Sequence, residues 1–309
     1  MKNRPRVVVT GGAGFIGSHL VDKLVNRGCY VTVIDNLFLG KKENVNPKAD
    51  FWQEDIRNLG VIKSIFKGVD YVFHCAAMPR IQPSIKNPDE SFTNNLLGTH
   101  NVLMAAKEAG VKRVIFSGSS SVYGDQPELP LQERMISRPK NPYAYDKWQA
   151  EERCLMFWKL FQLPVVCLRY FNVYGERQSI EGAYATVVGI FFRQKEKGEP
   201  LTIVGDGSIR RDFTHVDDVT EANCAAMESA GAVGEIINIG TGTNYSIKEL
   251  AALIENGTPY HCFLPSRPGE SKETLADIAK ARKLLGYKPT TLLPDWIKFQ
   301  LQKMGESVV

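Results

Sequence analysis

The stretch Thr10-Gly11-Gly12-Ala13-Gly14-Phe15-Ile16-Gly17 constrains this chain more than any other. It follows the apolar run Val7-Val8-Val9 and opens the amphipathic segment Ser18-His19-Leu20-Val21-Asp22-Lys23-Leu24-Val25. The order is strand, tight glycine turn, helix. The first turn of a helix carries backbone N–H groups without partners, and the helix dipole is positive there, so an anion is favoured. Glycines permit positive φ and let a pyrophosphate approach the backbone without meeting a Cβ. Gly12, Gly14 and Gly17 fit GxGxxG, and Gly11, Gly14 and Gly17 fit GxxGxxG. A second apolar run, Tyr30-Val31-Thr32-Val33-Ile34, leads into Asp35. That acid stands roughly 20 residues past the glycines, where a carboxylate bonds a ribose 2′-OH and repels a 2′-phosphate. Together the two features predict a site for NAD rather than NADP.

At 309 residues the chain can hold one large or two modest domains. Its net charge of +4 is mild, with no basic block interleaved with aromatics and no acidic tail, so nucleic acid is not an expected partner. Six cysteines (Cys29, Cys75, Cys154, Cys167, Cys224 and Cys262) lie far apart without CxxC spacing. They suit buried thiols in a reducing compartment better than disulfides or a metal site. Lys2, Arg4 and Arg6 before the valines imitate a signal peptide, but the apolar run is short and breaks into the glycine turn. No stretch is long enough to span a membrane. A cytoplasmic protein is expected.

Apolar runs alternate with helical patterns through residue 170. Candidate strands end near Thr10, Ile34, Gln53, His74, Ser117 and Arg169, with helix-like segments such as 59–67 and 88–109 between them. This predicts an α/β, Rossmann-type, doubly wound parallel sheet covered on both faces. Ligands bind such a sheet beyond the carboxyl ends of its strands. The distinctive polar clusters fall there: the glycine loop, Asp35-Asn36, Asp55-Ile56, His74-Cys75-Ala76-Ala77 and Ser117 to Ser121. After residue 170 loops lengthen. Helical pieces over 183–197, 216–229, 246–255 and 277–285 alternate with short strands over 201–204 and 235–239, and Pro and Gly around 256–269 mark loop. The expected organisation is an NAD-binding domain over 1–170, with a returning segment near 214–240, and a smaller substrate domain over 171–309.

Asn141-Pro142-Tyr143-Ala144-Tyr145-Asp146-Lys147 starts a helix, with Asn141 suited to the N-cap and Pro142 to the first helical position. Tyr143 and Lys147 then share a face. A phenol has pKa about 10, too high for a base at neutral pH, but a nearby ammonium and a nicotinamide cation both favour the phenolate. Ser119, expected at the end of the fifth strand, can hydrogen-bond the same substrate oxygen. Ser119, Tyr143 and Lys147 beside a dinucleotide suit hydride transfer to or from a carbinol.

With these pieces in hand, the chain resembles the extended short-chain dehydrogenase/reductase family, and within it the UDP-glucose and UDP-N-acetylglucosamine 4-epimerases. The resemblance rests on TGGAGFIGSHL, Asp35-Asn36-Leu37, Glu54-Asp55-Ile56-Arg57, HCAA, FSGSSSVYG, PYAYDK, LRYFNVYG, GDGSIRRDF, RPGE and ADIAKARKLLGY, which cover nearly the whole chain in order. It implies that Gly11, Gly14, Phe15, Ile16 and Gly17 hold NAD from the first turn, and Asp35, Asn36, Asp55 and Ile56 from the next strand ends. It adds Ala76, Ala77, Asn95, Ser117, Ser119, Tyr143, Lys147 and Phe171 along the rest of the cofactor. Asn172, Arg211 and Arg267 would bind the nucleotide diphosphate, a role that guanidinium forks suit. Ser119, Tyr143 and Thr274 would face the sugar. In the resembling enzymes the residue seven positions after the arginine of the RPGE-type segment walls the sugar pocket. Here it is Thr274, whose small side chain leaves room for a 2-acetamido group. The resemblance also implies a homodimer paired through helices near 88–109 and 143–161, and no metal.

Asp146, where a small residue is usual, departs from the family pattern. Its expected direction is off the Tyr143–Lys147 face. Arg80 follows HCAA in a variable loop; it is a candidate to reach the substrate, although an exposed structural arginine is the more ordinary reading. Related dehydratases and decarboxylases carry acids just before VYG, where this chain has Ser120 and Ser121, neither able to act as a charged acid or base near neutral pH. The reading is an NAD-dependent 4-epimerase of a UDP-hexose, interconverting UDP-GlcNAc and UDP-GalNAc and/or UDP-glucose and UDP-galactose. The alternatives are a UDP-glucuronate 4-epimerase, with Arg80 as the cation for the sugar carboxylate, or a nucleotide-sugar reductase or dehydrogenase of the same fold.

Overall fold

The computed structural model describes residues 4–305; Lys2, part of the basic run before the valines, lies outside them. The first six strands are β1 (Arg6–Thr10), β2 (Tyr30–Ile34), β3 (Asp50–Trp52), β4 (Tyr71–His74), β5 (Arg113–Ser119) and β6 (Val165–Tyr170). Four short strands follow, β7 (Val173–Tyr174), β8 (Leu201–Val204), β9 (Arg210–Asp212) and β10 (Thr214–His215), then β11 (Glu235–Ile239), β12 (Asn244–Ser246) and β13 (His261–Leu264). Seven of them form one parallel sheet in the order β11-β6-β5-β4-β1-β2-β3. The chain leaves β1 toward β2 and β3, then returns to lay β4 on the other side of β1. That reversal makes the ends of β1 and β4 a topological switch point, where such sheets open a crevice.

Alternation along the strands feeds two cores. Val7 and Val9 join Leu20, Val21 and Leu24 of α1 (Phe15–Asn26) on one face, while Val8 joins the opposite cluster. The second cluster takes in Ile62 of α2 (Leu59–Ile65). The helices α3 (Ile81–Lys86) and α4 (Pro88–Phe92) precede α5 (Gly98–Ala109) and α6 (Pro142–Phe161). Val102 and Leu103 of α5 and Cys154 and Phe157 of α6 complete that face. Burial on both faces is what makes these strands continuous apolar runs.

The remaining helices are α7 (Val187–Glu196), α8 (Val216–Glu228), α9 (Ile247–Glu255), α10 (Ala279–Leu285) and α11 (Leu293–Lys303). Helix α8 covers the sheet beside α1, with Val219 and Ala222 in the first cluster. A separate core joins Phe191 of α7, Leu201 and Ile203 of β8, Leu250 and Ile254 of α9, and Trp296 and Ile297 of α11.

Several elements differ from the sequence expectation. The segment over 88–109 is two helices joined by a π-helical turn, Thr93–Leu97. There Thr99 Oγ1 donates to the Asn95 carbonyl at 2.6 Å, while the Asn95 side chain brackets Met78, accepting its N–H at 2.8 Å and donating to its carbonyl at 3.0 Å. Such turns recur at functional sites. The loop over 256–269 contains strand β13, paired in parallel with β8. Its residues are mostly exposed, so no burial alternation marks it. Helix α11 lies beyond the elements assigned from sequence and buries Leu293, Trp296, Ile297 and Leu301 on one stripe. Among the described residues no helix is long and apolar enough to cross a membrane, and all six cysteines are free.

Candidate active site

The strand ends, the loop between α3 and β4, and the segments after β6 enclose one cavity of about 1420 Å³. Its cofactor end is built by the glycine turn. Gly11 has φ +71, and a Cβ on it would run into the backbone of Ala76 at 2.6 Å. A Cβ on Gly17 would collide with the Gly11 carbonyl, so α1 packs directly on the turn. Gly14, Phe15 and Ile16 line the wall beside them. Under the turn, His74 bridges Thr10 Oγ1 at 2.7 Å and Thr99 Oγ1 at 2.9 Å. Burial, with the Lys147 charge nearby, pushes its pKa down to about 3, so it is a neutral strut. Sequence reasoning passed over this role because a histidine at a strand end carries no local mark of its partners.

Asp35 sits at the rim. One carboxylate oxygen accepts the Ala13 N–H at 3.0 Å and the other the Leu37 N–H at 2.8 Å. Burial pushes this carboxyl up and the two N–H groups oppose it. Asn36 and Ile56 also line the cavity. Asp55 does not reach the wall: it accepts from Asn36 Nδ2 at 3.0 Å and from Arg57 Nη2 at 2.7 Å. Burial raises its pKa, but the hydrogen bonds from Arg57 outweigh that and hold it at about 2. Two other expected cofactor contacts also lie behind the surface. Asn95 is spent on Met78 and on Ser91 Oγ. Phe171 is fully buried in a cluster with Tyr123 and Leu131. Both position the wall from the second layer, whereas Ala76, Ala77 and Ser117 stand on it.

Helix α6 starts as its sequence predicts. Asn141 caps it, accepting the Ala144 N–H at 2.9 Å, and Pro142 takes the first turn. Tyr143 and Lys147 line the cavity together with Ser119. Lys147 is buried, donates to the Ser117 carbonyl at 3.0 Å and lies 5.0 Å from the Phe116 ring centroid. Burial pulls it down to about 8, against the opposing influence of Cys75, Cys154 and Asp146. Burial pushes the Tyr143 phenol up, while the Ser119 hydroxyl and the Arg80 guanidinium pull it down. Ser119 Oγ is 2.9 Å from Ser121 Oγ. Asp146 turns away from the Tyr143–Lys147 face, as expected, and accepts from Ser91 Oγ of α4 at 2.5 Å.

Asn172, Arg211, Arg267 and Thr274 also line the cavity. Asn172 Nδ2 donates to the Asp212 carbonyl and to Thr274 Oγ1, each at 3.1 Å. Arg211 Nη2 stands 3.6 Å from Glu270 Oε2. Thr274 is 6% exposed, a small residue at the pocket wall. Arg80 corrects the ordinary reading. It is not an exposed surface arginine; it lines the cavity, and its Nε donates to the Tyr184 carbonyl at 3.0 Å. Tyr184 itself meets Phe38 edge-to-face at 5.9 Å, bridging the two ends of the site across loops that sequence patterns do not pair.

The cradle fits a dinucleotide: glycines that leave no room for Cβ atoms, an acid placed for a ribose, and a Ser–Tyr–Lys set beyond them. No group of three or more metal-ligating side chains occurs among the described residues.

Known proteins agree. Residues 7–240 match the model of the NAD dependent epimerase/dehydratase family. A UDP-glucose 4-epimerase from Thermotoga maritima, solved with UDP-glucose, is 37% identical, covers 97% of this chain and 100% of its own, and superposes with a TM-score of 0.92. A UDP-N-acetylglucosamine 4-epimerase from Methanobrevibacter ruminantium, in complex with UDP-N-acetylmuramic acid, is 36% identical over 98% of this chain and 100% of its own, with a TM-score of 0.89. A UDP-glucuronic acid 4-epimerase from Bacillus cereus, with UDP-glucuronic acid and NAD, is 36% identical over 97% of this chain and 100% of its own, with a TM-score of 0.88. The chain belongs to the NAD dependent epimerase/dehydratase family and is an NAD-dependent enzyme of it.

Proposed function

We propose that the protein is a UDP-sugar 4-epimerase. Residues 1–170 with the returning strand β11 hold the cofactor, and 171–309 hold the nucleotide sugar. The observation that carries this is that Ser119, Tyr143 and Lys147 line one cavity together with Arg211 and Arg267, with only hydroxyls at Ser120 and Ser121. Bound NAD supplies a hydride acceptor that later returns the hydride. Tyr143, as phenolate, takes the proton from the C4 hydroxyl while Ser119 hydrogen-bonds the same oxygen. Lys147 holds positive charge near the phenolate, and the nicotinamide cation adds to it. The flat 4-ketose turns its other face, and Tyr143 returns the proton to the inverted alcohol. Arginines grip the diphosphate firmly, leaving the sugar free to turn.

Thr274 supports room for a 2-acetamido group, so UDP-GlcNAc and UDP-GalNAc belong among the substrates. The same reading includes a homodimer. Phe92 and Leu97 near α4, and Leu160 and Phe161 at the end of α6, leave large apolar side chains at least 40% exposed. That is surface a second copy can cover; a monomer mass by light scattering at micromolar concentration contradicts it. Product analysis by NMR on a panel of UDP-sugars tests the reaction: the C4 epimer is expected, with no net change in reduced cofactor.

A further inference from the structure

Helix α6 carries a buried acid that the mechanism above does not use. Asp146 stands three residues after Tyr143 and one before Lys147, off the face they share, and is 7% exposed. Its hydrogen bonds can be followed atom by atom. The Met78 main chain fixes the Asn95 amide, because Oδ1 accepts the Met78 N–H at 2.8 Å and Nδ2 donates to the Met78 carbonyl at 3.0 Å. Nδ2 gives its second hydrogen to Ser91 Oγ at 3.2 Å. Ser91 is fully buried, so its own hydrogen needs an acceptor, and Asp146 Oδ2 supplies one at 2.5 Å.

In the other direction, Thr99 Oγ1 donates to the Asn95 carbonyl at 2.6 Å and therefore accepts from His74 Nε2 at 2.9 Å. Neutral His74 thus carries its hydrogen on Nε2, and its Nδ1 accepts from Thr10 Oγ1 at 2.7 Å. Thr10 Oγ1 in turn accepts the Ala76 N–H at 3.4 Å. Every donor points toward Asp146, which ends the chain as its acceptor. This is not a proton path. The chain crosses Asn95 from its carbonyl to its side-chain amide, and neither group hands on a proton as a hydroxyl or an imidazole does. What a buried, satisfied network transmits is position.

A second fastening lies beside the first. Ser84 of α3 accepts the Tyr143 N–H at 3.1 Å, a first-turn donor of α6 without a helical partner. Ser84 and Ser91 therefore pin the segment over 81–95 to the start of α6, one at Tyr143 and the other at Asp146. Asn95 carries the second pin to Met78, which follows directly on Ala76 and Ala77 of the cavity wall. We propose that Asp146 is a positioning residue of the active site: through Ser91 and Asn95 it holds the wall over 76–78, and the cofactor that rests on it, in register with Tyr143 and Lys147. This rests on the 4-epimerase reading, in which that register sets the hydride step.

The test uses the full-length protein purified with its NAD, and compares Asp146→Ala, Asp146→Asn, Ser91→Ala and the Asp146→Ala, Ser91→Ala double variant. Three quantities are read: kcat and KM on UDP-sugars, the rate at which bound NAD is lost on dilution, and the unfolding midpoint. Asp146→Ala is expected to lower kcat about 10- to 100-fold, as misplacement from a distance does, with the UDP-sugar KM little changed. NAD is expected to leave about 10-fold faster. Asp146→Asn keeps an oxygen for the Ser91 hydroxyl and is expected to lie nearer wild type than Asp146→Ala. The double variant leaves neither member of the pair without its partner, so its midpoint is expected to rise above that of Ser91→Ala. Its kcat is expected to stay as low as that of Asp146→Ala, because the link is still missing. Wild-type kcat and NAD retention in Asp146→Ala overturn the proposal. So does a kcat that recovers with stability in the double variant, which leaves Asp146 as fold support alone. Burial pulls the Lys147 ammonium down, and Cys75, Cys154 and Asp146 oppose it. An Asp146→Asn variant as slow as Asp146→Ala, with the alkaline limb of its pH profile moved, therefore assigns Asp146 to the Lys147 charge and also overturns the proposal. If wild type forms no C4 epimer, the epimerase reading fails by itself, and the rates of NAD loss still decide on Asp146.

Discussion

The two ends of the cavity are built by different means. At the cofactor end the wall is backbone: strand ends, a glycine turn and N–H groups aimed at Asp35. At the end proposed for the substrate it is side chains held by long-range bonds. Asp212, the end of a three-residue strand, accepts from Thr241 N at 2.8 Å, Thr241 Oγ1 at 2.7 Å, Gly242 N at 3.0 Å and Ala276 N at 3.1 Å. That one carboxylate ties β9 to the loop after β11 and to the segment carrying Thr274. The first end is fixed by the topology of a parallel sheet; the second depends on single polar hubs. A fold can therefore keep its cofactor site constant while a few substitutions re-aim the substrate wall.

Four changes probe that contrast. Tyr143→Phe touches the seam between the ends and removes only the ionisable oxygen. Turnover is expected to fall roughly 10²- to 10⁴-fold, the range for general acid–base catalysis, with nucleotide-sugar binding retained. A variant keeping more than about a tenth of the wild-type rate means another group is the base. Asp212→Ala strips four donors of their buried acceptor and is expected to cost about 3 kcal/mol or more in thermal or denaturant unfolding. Its sharper consequence is local: UDP-sugar affinity should drop more than NAD affinity, and equal losses would show that the two ends are not independent. Thr274→Tyr fills the sugar wall and is expected to reduce kcat/KM for acetamido sugars about 10-fold or more relative to UDP-glucose. Equal loss on both sugar types removes Thr274 from the gate. The smallest effect is on the cofactor side. Asp55, held near 2 in the folded state against about 3.9 unfolded, contributes stability that is present above the unfolded value and is lost as pH falls toward 2. Asp55→Asn is therefore expected to flatten the stability profile below pH about 4 and to leave NAD binding near neutral pH almost unchanged.

The same contrast explains what the sequence makes legible. Strands ending at Thr10, Ile34 and His74 stand where the apolar runs end, because burial on both faces writes a continuous signal. Asn141 and Pro142 mark the start of α6 through local capping chemistry. Thr186 caps α7, so the helix begins at Val187 and not at residue 183. Features made by distant partners are not written locally. The edge strand β13 lies mostly exposed on β8. Asn95, Asp55 and Phe171 sit behind the wall because their partners, Met78, Arg57 and the Tyr123 cluster, claim them. Arg80 stands in a loop whose sequence says nothing of Tyr184, more than a hundred residues away.

The account turns on redox-neutral inversion at C4 by Ser119, Tyr143 and Lys147. Incubating the purified holoenzyme with UDP-sugars and following both the products by NMR and the reduced-cofactor absorbance tests it most directly. The expected result is an equilibrating pair of C4 epimers with no net absorbance change, lost in Tyr143→Phe. Stoichiometric accumulation of reduced cofactor, or an altered sugar that is not the C4 epimer, contradicts it.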